Sequence, residues 1–212
     1  SLFLSTYFLD ECVDIHIYTT KNNIENLKAE VKFLQSHFEL YFHIIQHISS
    51  KKDYSNLLVS SQFWNELSAY KVCLIIQSDG FLINHGIGKY VDDILNNKYH
   101  FIGSPHKKRL DDTYLYNGGL SLRCIENTLA TIKTKKYNNE PEDVYFCKHM
   151  SIPCLTIGFS FALEHKYPET KYENLVGVHQ FWEHNDKVTV KKIFDDIVNN
   201  VKTVKKTDFE IL

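Results

Sequence analysis

Four short segments carry side chains able to do chemistry. The apolar run Val72–Ile76 stops at Gln77-Ser78-Asp79-Gly80, and apolar residues resume at Phe81. Asp-Gly suits a turn through its backbone preferences alone. A carboxylate at that point would equally serve a cation or a phosphorylated ligand. The segment "YNGGLSLR" offers the amide of Asn117 beside Gly118 and Gly119. Two glycines let backbone approach a ligand with no Cβ in the way, or supply positive φ to a strand–helix turn. In "EPEDVYF", Glu142 and Asp143 fall in the first turn of a helix opened by Pro141. Acids there complement the helix dipole by about 0.3–1 kcal/mol, or one of them acts as a general base. Adjacent helical side chains diverge by about 100°, so only one faces a given substrate. Last, "GVHQFW" sets His179 ahead of Phe181 and Trp182. That His is a packed residue on one reading and a metal ligand on the other, with aromatics able to stack on a sugar or a base.

These segments need elements to position them. Residues 13–19 alternate apolar and polar like a strand, and 24–36 place Ile24, Leu27, Val31 and Leu34 at helical spacing. Residues 39–46 read as a strand, 56–68 as a helix, and 71–77 as a strand apolar enough to be buried on both faces. Strands alternating with helices predict a mostly parallel sheet covered on both sides. Ligands of such sheets gather beyond the carboxyl ends of the strands, where Asp79 lies. Further on, a helix is expected near 88–97, a strand at 99–105, a polar loop at 106–112, and a short strand ending in a Gly-Gly turn before a helix to about Lys135. "IPCLTI" and "SFALE" read as short strands, 177–182 as extended, and 187–203 as a closing helix. Residues 1–12 read as a short helix with no strand before it.

Composition bounds the function classes. The 212 residues suit one domain spanning 1–212, and a net charge of −2 gives no basic balance for nucleic acid. The five cysteines form no C-x-x-C pair. Neither a structural zinc nor a disulfide framework is expected, and the cytoplasm or another reducing compartment is the simpler setting. No apolar run approaches the roughly 20 residues that cross a bilayer.

The order "QSDG … YNGGLSLR … PEDVYF … GVHQFW" resembles nucleotide-sugar glycosyltransferases of the GT-A fold. It looks most like a domain-of-unknown-function family of glycosyltransferase-like proteins from microbes and large DNA viruses. In layout it is similar to the β-1,3-galactosyl- and N-acetylglucosaminyltransferases. The resemblance implies a Rossmann-type three-layer α/β sandwich whose first strand lies upstream of Ser1. It implies an inverting, metal-dependent transfer of a sugar from a nucleoside diphosphate, expected to be UDP, to a hydroxyl of a glycan or glycoprotein. Asp79 takes the place of the last acid of a D-x-D motif, and His179 that of the histidine completing the metal site. Gln77, Ser78, Asn117, Gly118 and Gly119 fall where the donor is held. Glu142 and Asp143 match the "EDV" acids, with Asp143 favoured as base. One departure stands out: Gln77 replaces the first acid of D-x-D and removes a charge. One Asp plus one His leans toward Mn²⁺ over Mg²⁺, because imidazole is a poor ligand for magnesium. Two rivals follow from the same residues. One is a non-catalytic glycan- or protein-binding module with a lapsed metal site. The other is a nucleotidyltransferase, for which the expected Gly-rich basic phosphate loop is missing.

Overall fold

The computed structural model describes residues 2–9, 12–110, 113–165 and 175–208. It is a mixed α/β structure. The chain begins with α1 (Leu2–Thr6), β1 (Ile15–Thr19), α2 (Ile24–Glu30) and a 3-10 turn over Lys32–Ser36, then β2 (Leu40–Ile44). β1 and β2 pair in parallel from Ile15↔Leu40 to Thr19↔Ile44. Helices α3 (Lys51–Leu58) and α4 (Ser61–Glu66) follow. The single helix expected over 56–68 is two helices because Ser60 is extended between them. Trp64 is fully buried, its indole N–H donating to Leu58 O at 2.6 Å.

The strand pairing corrects the expectation of a mostly parallel central sheet. β3 (Val72–Ile76), β5 (Phe101–Leu110) and β6 (Thr113–Cys124) form a sheet in the order β3-β6-β5, antiparallel at both joints. The reason is local. No helix intervenes between β5 and β6, so the two run as a hairpin, and a hairpin is antiparallel. Part of the segment expected as a polar loop at 106–112 is therefore strand, and residues 111–112 lie outside the described residues. β3 is an edge strand of this sheet, which is why all five of its residues are half-buried and not buried on both faces.

A second small sheet stands against the first. β4 (Gly80–Leu82) pairs antiparallel with β8 (Gly177–His179), and β8 pairs in parallel with β7 (Ala162–Leu163). The remaining helices are α5 (Ile87–Leu95), α6 (Ile125–Thr134), α7 (Glu142–His149), α8 (Leu155–Phe161), α9 (Phe181–His184) and α10 (Lys187–Asp208). The segment expected as two strands around 152–164 is mostly α8. Short apolar runs do not distinguish strand from buried helix. The choice here follows packing: at Gly158 the helix meets the ring of Tyr116 so closely that a Cβ would overlap it.

The largest core cluster joins β5, β6, α5 and α7 through Tyr90, Phe101, Tyr116, Leu122, Tyr145 and Phe146. Among the described residues all five cysteines are free thiols, and no helix is long and apolar enough to cross a membrane.

Candidate functional site

The end of β3 turns sharply. The Gly80 amide donates to Gln77 O at 2.9 Å, and Gln77 in turn donates its amide to Gly119 O at 2.8 Å. Ser78 is exposed at the tip of the turn, and Asp79 is half-buried behind it. The chain then enters β4, where Gly80 pairs with His179. That pairing brings together an acid and an imidazole from distant segments: His179 Nε2 lies 3.3 Å from Asp79 Oδ1. It also lies 3.1 Å from Gln77 Oε1. Gln180, the next residue, is left-handed at φ 46°. Its amide N–H donates to Asp79 O at 3.1 Å, and its side-chain amide donates to Asp79 Oδ2 at 2.5 Å. The first carboxylate oxygen is thus oriented while Oδ1 has no hydrogen-bond donor of its own beyond the imidazole contact.

His179 is 2% exposed. Burial lowers its pKa more than Asp79 raises it, so the ring is neutral at pH 7. A neutral imidazole, a carboxylate oxygen and the amide oxygen of Gln77 are three donors within reach of a single cation. Gln77 removes a charge from the expected metal pair but leaves an oxygen in place. The orphaned Asp79 Oδ1 fits the same reading, since a bound ion would satisfy it.

The floor of this region is a bulge in β6. Gly103 pairs with Ser121, but the next residue, Ser104, pairs with Asn117, so residues 118–120 are extra on β6. Asn117 Oδ1 accepts the Gly119 amide at 2.6 Å and holds the bulge. Neither glycine has positive φ, which corrects the strand–helix turn expected there. The glycines are needed for close approach. A Cβ on Gly119 would overlap His179 Nε2, and one on Gly118 would overlap Glu142 Oε1.

The two acids of α7 have separate fates. Glu142 is buried against Arg123, which donates from Nη1 to Oε2 at 2.7 Å and from Nη2 to Oε1 at 3.1 Å. Arg123 is fully buried, packed between the rings of Phe101 and Phe146. Burial opposes its charge, but the Glu142 carboxylate outweighs burial and keeps the guanidinium protonated. Asp143 makes no such pair. Its Oδ1 accepts the Val144 amide at 2.7 Å, and burial raises its pKa above the ordinary carboxylate value.

Glu164, just past β7, completes the cluster. Burial first, then the charges of Asp143 and Asp79, raise its pKa to about 7, while Lys51 and the Asn117 side chain pull the other way. The charges of Asp79 and Asp143 both reach Glu164. Sequence reading missed Glu164, although it follows the short apolar stretch Phe161–Leu163 much as Asp79 comes soon after Val72–Ile76. Arg123 was missed too, because nothing local marks a buried cation. Of the two aromatics after His179, Phe181 is fully buried in the core, and Trp182 is 40% exposed.

The chain belongs to a family described as "Protein of unknown function (DUF5672)", whose family model matches residues 37–179. The match runs from just ahead of β2 to His179, the last residue of β8. No curated protein matches the chain. Among solved structures it is similar to the crystal structure of A197 from STIV, with 14% identity, a TM-score of 0.37, and coverage of 64% of this chain and 77% of that one.

Proposed function

We propose that this DUF5672 chain is an inverting glycosyltransferase of GT-A-like design, taking a sugar from a nucleoside-diphosphate donor, UDP in the first instance, to a hydroxyl acceptor. The observation that carries the reading is the meeting of Asp79 and His179 at the end of β3 with Gln77 Oε1 beside them. Asp79, His179 and Gln77 are the residues that would hold Mn²⁺ against the donor diphosphate. That ion would neutralise charge on the departing nucleoside diphosphate.

The chain's own groups do the rest. Asn117 fixes the bulge, and the glycines at 118 and 119 keep its surface free of side chains. Asp143 is the base that takes the proton of the acceptor hydroxyl as its oxygen attacks the sugar's anomeric carbon. Its raised pKa brings it nearer neutrality, which suits a base working at pH 7. Glu142 is committed to Arg123 and serves to shape the turn that presents Asp143. The exposed ring of Trp182 is available for stacking on a sugar or base.

A second reading is favoured by Gln77. With one acid fewer at the ion, the same cleft would bind a glycan or protein without catalysis. Hydrolysis or transfer from UDP-sugars separates the two. Release of UDP with Mn²⁺ that disappears in EDTA is the expected result. Donor binding without turnover under every acceptor and metal condition would favour the binding module.

A further inference from the structure

A second group of metal-ligating side chains lies just past β7 and at the end of α9. Glu164 and His165 follow β7 directly, and His184 ends α9. One ligand atom from each lies within 4.8 Å of the others. Glu164 Oε1 is 3.6 Å from His184 Nε2, and the rings of His165 and His184 have centroids 4.3 Å apart. The arrangement is held from behind. Asn185 donates from Nδ2 to Glu164 O at 2.8 Å and to Phe181 O at 2.6 Å, tying α9 to the end of β7.

Two features of this group point to a ligand. The Glu164 side chain is only 4% exposed, yet its Oε2 has no hydrogen-bond partner. A buried carboxylate oxygen left without a donor is costly unless something else satisfies it. His184, by contrast, is 34% exposed, so the group opens to solvent on one side.

We propose that Glu164, His165 and His184 form a three-ligand site for a divalent transition-metal ion of the zinc type. Two imidazoles and one carboxylate suit Zn²⁺ and its first-row neighbours, whereas Mg²⁺ and Ca²⁺ take oxygen ligands. Ligands about 2.1 Å from a tetrahedral ion stand about 3.4 Å apart. The Glu164–His184 pair already meets that spacing, and the outer limit of 4.8 Å closes with side-chain adjustment of His165. Three protein ligands with an open side leave a position for water or an incoming oxygen ligand. The site uses none of Asp79, His179 or Gln77, and does not rest on the glycosyl-transfer reading.

Zinc alone is the probe. Tag-free, EDTA-stripped protein is titrated with Zn²⁺ against a chromophoric chelator, with the exposed thiols removed as Cys12→Ser/Cys154→Ser. In an Asp79→Asn background, where the Asp79–His179 ion site is disabled, one equivalent of zinc should bind, unmoved by a large excess of Mg²⁺. His184→Ala and Glu164→Gln should each weaken binding by at least about 100-fold, beyond the 10–100-fold typical of residues that only support a ligand. Adding His179→Ala to the Asp79→Asn background should leave that equivalent in place. His184 is partly exposed on a short surface helix, so its variant keeps the test alive if Glu164→Gln fails to fold. In that background, zinc binding that survives His184→Ala in folded protein, or that never competes with the chelator, would overturn the proposal.

Discussion

Gly118 and Gly119 sit side by side in one bulge and open onto two different regions. Gly118 faces Arg123 and Glu142, and Gly119 faces His179 and Gln77. Both regions bury charge, and both depend on a missing Cβ. Around Gly118 the charged pair is matched: Arg123 spends its Nη1 and Nη2 on Glu142 and its Nε on Ser121 Oγ at 3.1 Å. Around Gly119 valences are left over, on Asp79 Oδ1 and His179 Nδ1. Saturated burial of this kind holds a fold together. A buried polar atom without a partner is costly unless a ligand or water satisfies it, so the leftover valences, not the buried charge as such, point to where a ligand would sit.

Substitutions can break this contrast. The largest expected effect is on turnover. Asp143→Asn should lower kcat by about 10²–10⁴-fold with donor KM nearly unchanged. Stability at pH 7 should hold or rise slightly, because burial already disfavours the charged carboxylate. Glu142→Gln should do the reverse, costing stability more than catalysis. Normal turnover in Asp143→Asn would remove the base and with it the inverting mechanism.

Next is the saturated pair. Arg123→Met leaves Glu142 buried without its cation, which should cost about 3–5 kcal/mol in urea unfolding. The double variant Arg123→Met/Glu142→Leu should regain much of that loss, since apolar replacement of a whole buried pair is often neutral. A double variant as unstable as the single one would mean the pair specifies the turn of α7 and does not merely fill it.

The glycines sharpen the comparison further. Gly119→Ala forces its Cβ onto His179 and Gln77. It should cost about 1–3 kcal/mol and weaken Mn²⁺ dependence of any transfer. Gly118→Ala should cost a similar amount while leaving metal dependence intact, because it strikes Glu142 and Arg123 instead.

How much of this was legible in the sequence differs by segment. Asp79 and His179 stand out as polar residues bordering apolar runs, and β4–β8 pairing brings them together. The antiparallel sheet was not legible. Strand and helix alternate up to β3, but the β5–β6 hairpin breaks the rhythm inside a segment that looks like a polar loop. The Gly-Gly pair offers two readings in the sequence, a turn or room for a close approach, and neither names what approaches. Glycine signals a turn locally, and only tertiary packing shows that the side chains of His179 and Glu142 need the space. Glu142 and Asp143 are indistinguishable in sequence until Arg123, from another element, claims one of them.

The smallest effect lies far from the cleft, at the β1–β2 edge. There His16 bonds to His43 at 2.9 Å and to Tyr70 Oη at 3.0 Å, and Tyr70 donates to Asp14 at 2.5 Å. His43 meets Glu66 at 3.2 Å, and Tyr41 stacks on His16. Burial first and His43 second lower the His16 pKa, with Asp14 and Glu66 opposing. The unfolded chain then binds more protons than the folded one below about pH 6.5, so stability falls as the pH drops through that value. His16→Asn should flatten the slope of melting temperature between pH 7 and 5 relative to wild type. An unchanged slope would show that His16 does not titrate differently on folding.

The central claim is that the unsaturated region around Asp79 and His179 takes a metal-bound nucleotide sugar. Its most direct test is a thermal-shift panel of UDP-, GDP- and CDP-sugars, each with and without Mn²⁺, on the wild type and Asp79→Asn. A ligand that binds only the native state raises its melting temperature. The account predicts stabilisation by UDP-sugar that requires Mn²⁺, and its loss in an Asp79→Asn protein that melts as the wild type does without ligand. Stabilisation by nucleotide sugar that is the same in EDTA and in Asp79→Asn, or none from any of the three donors, would contradict it.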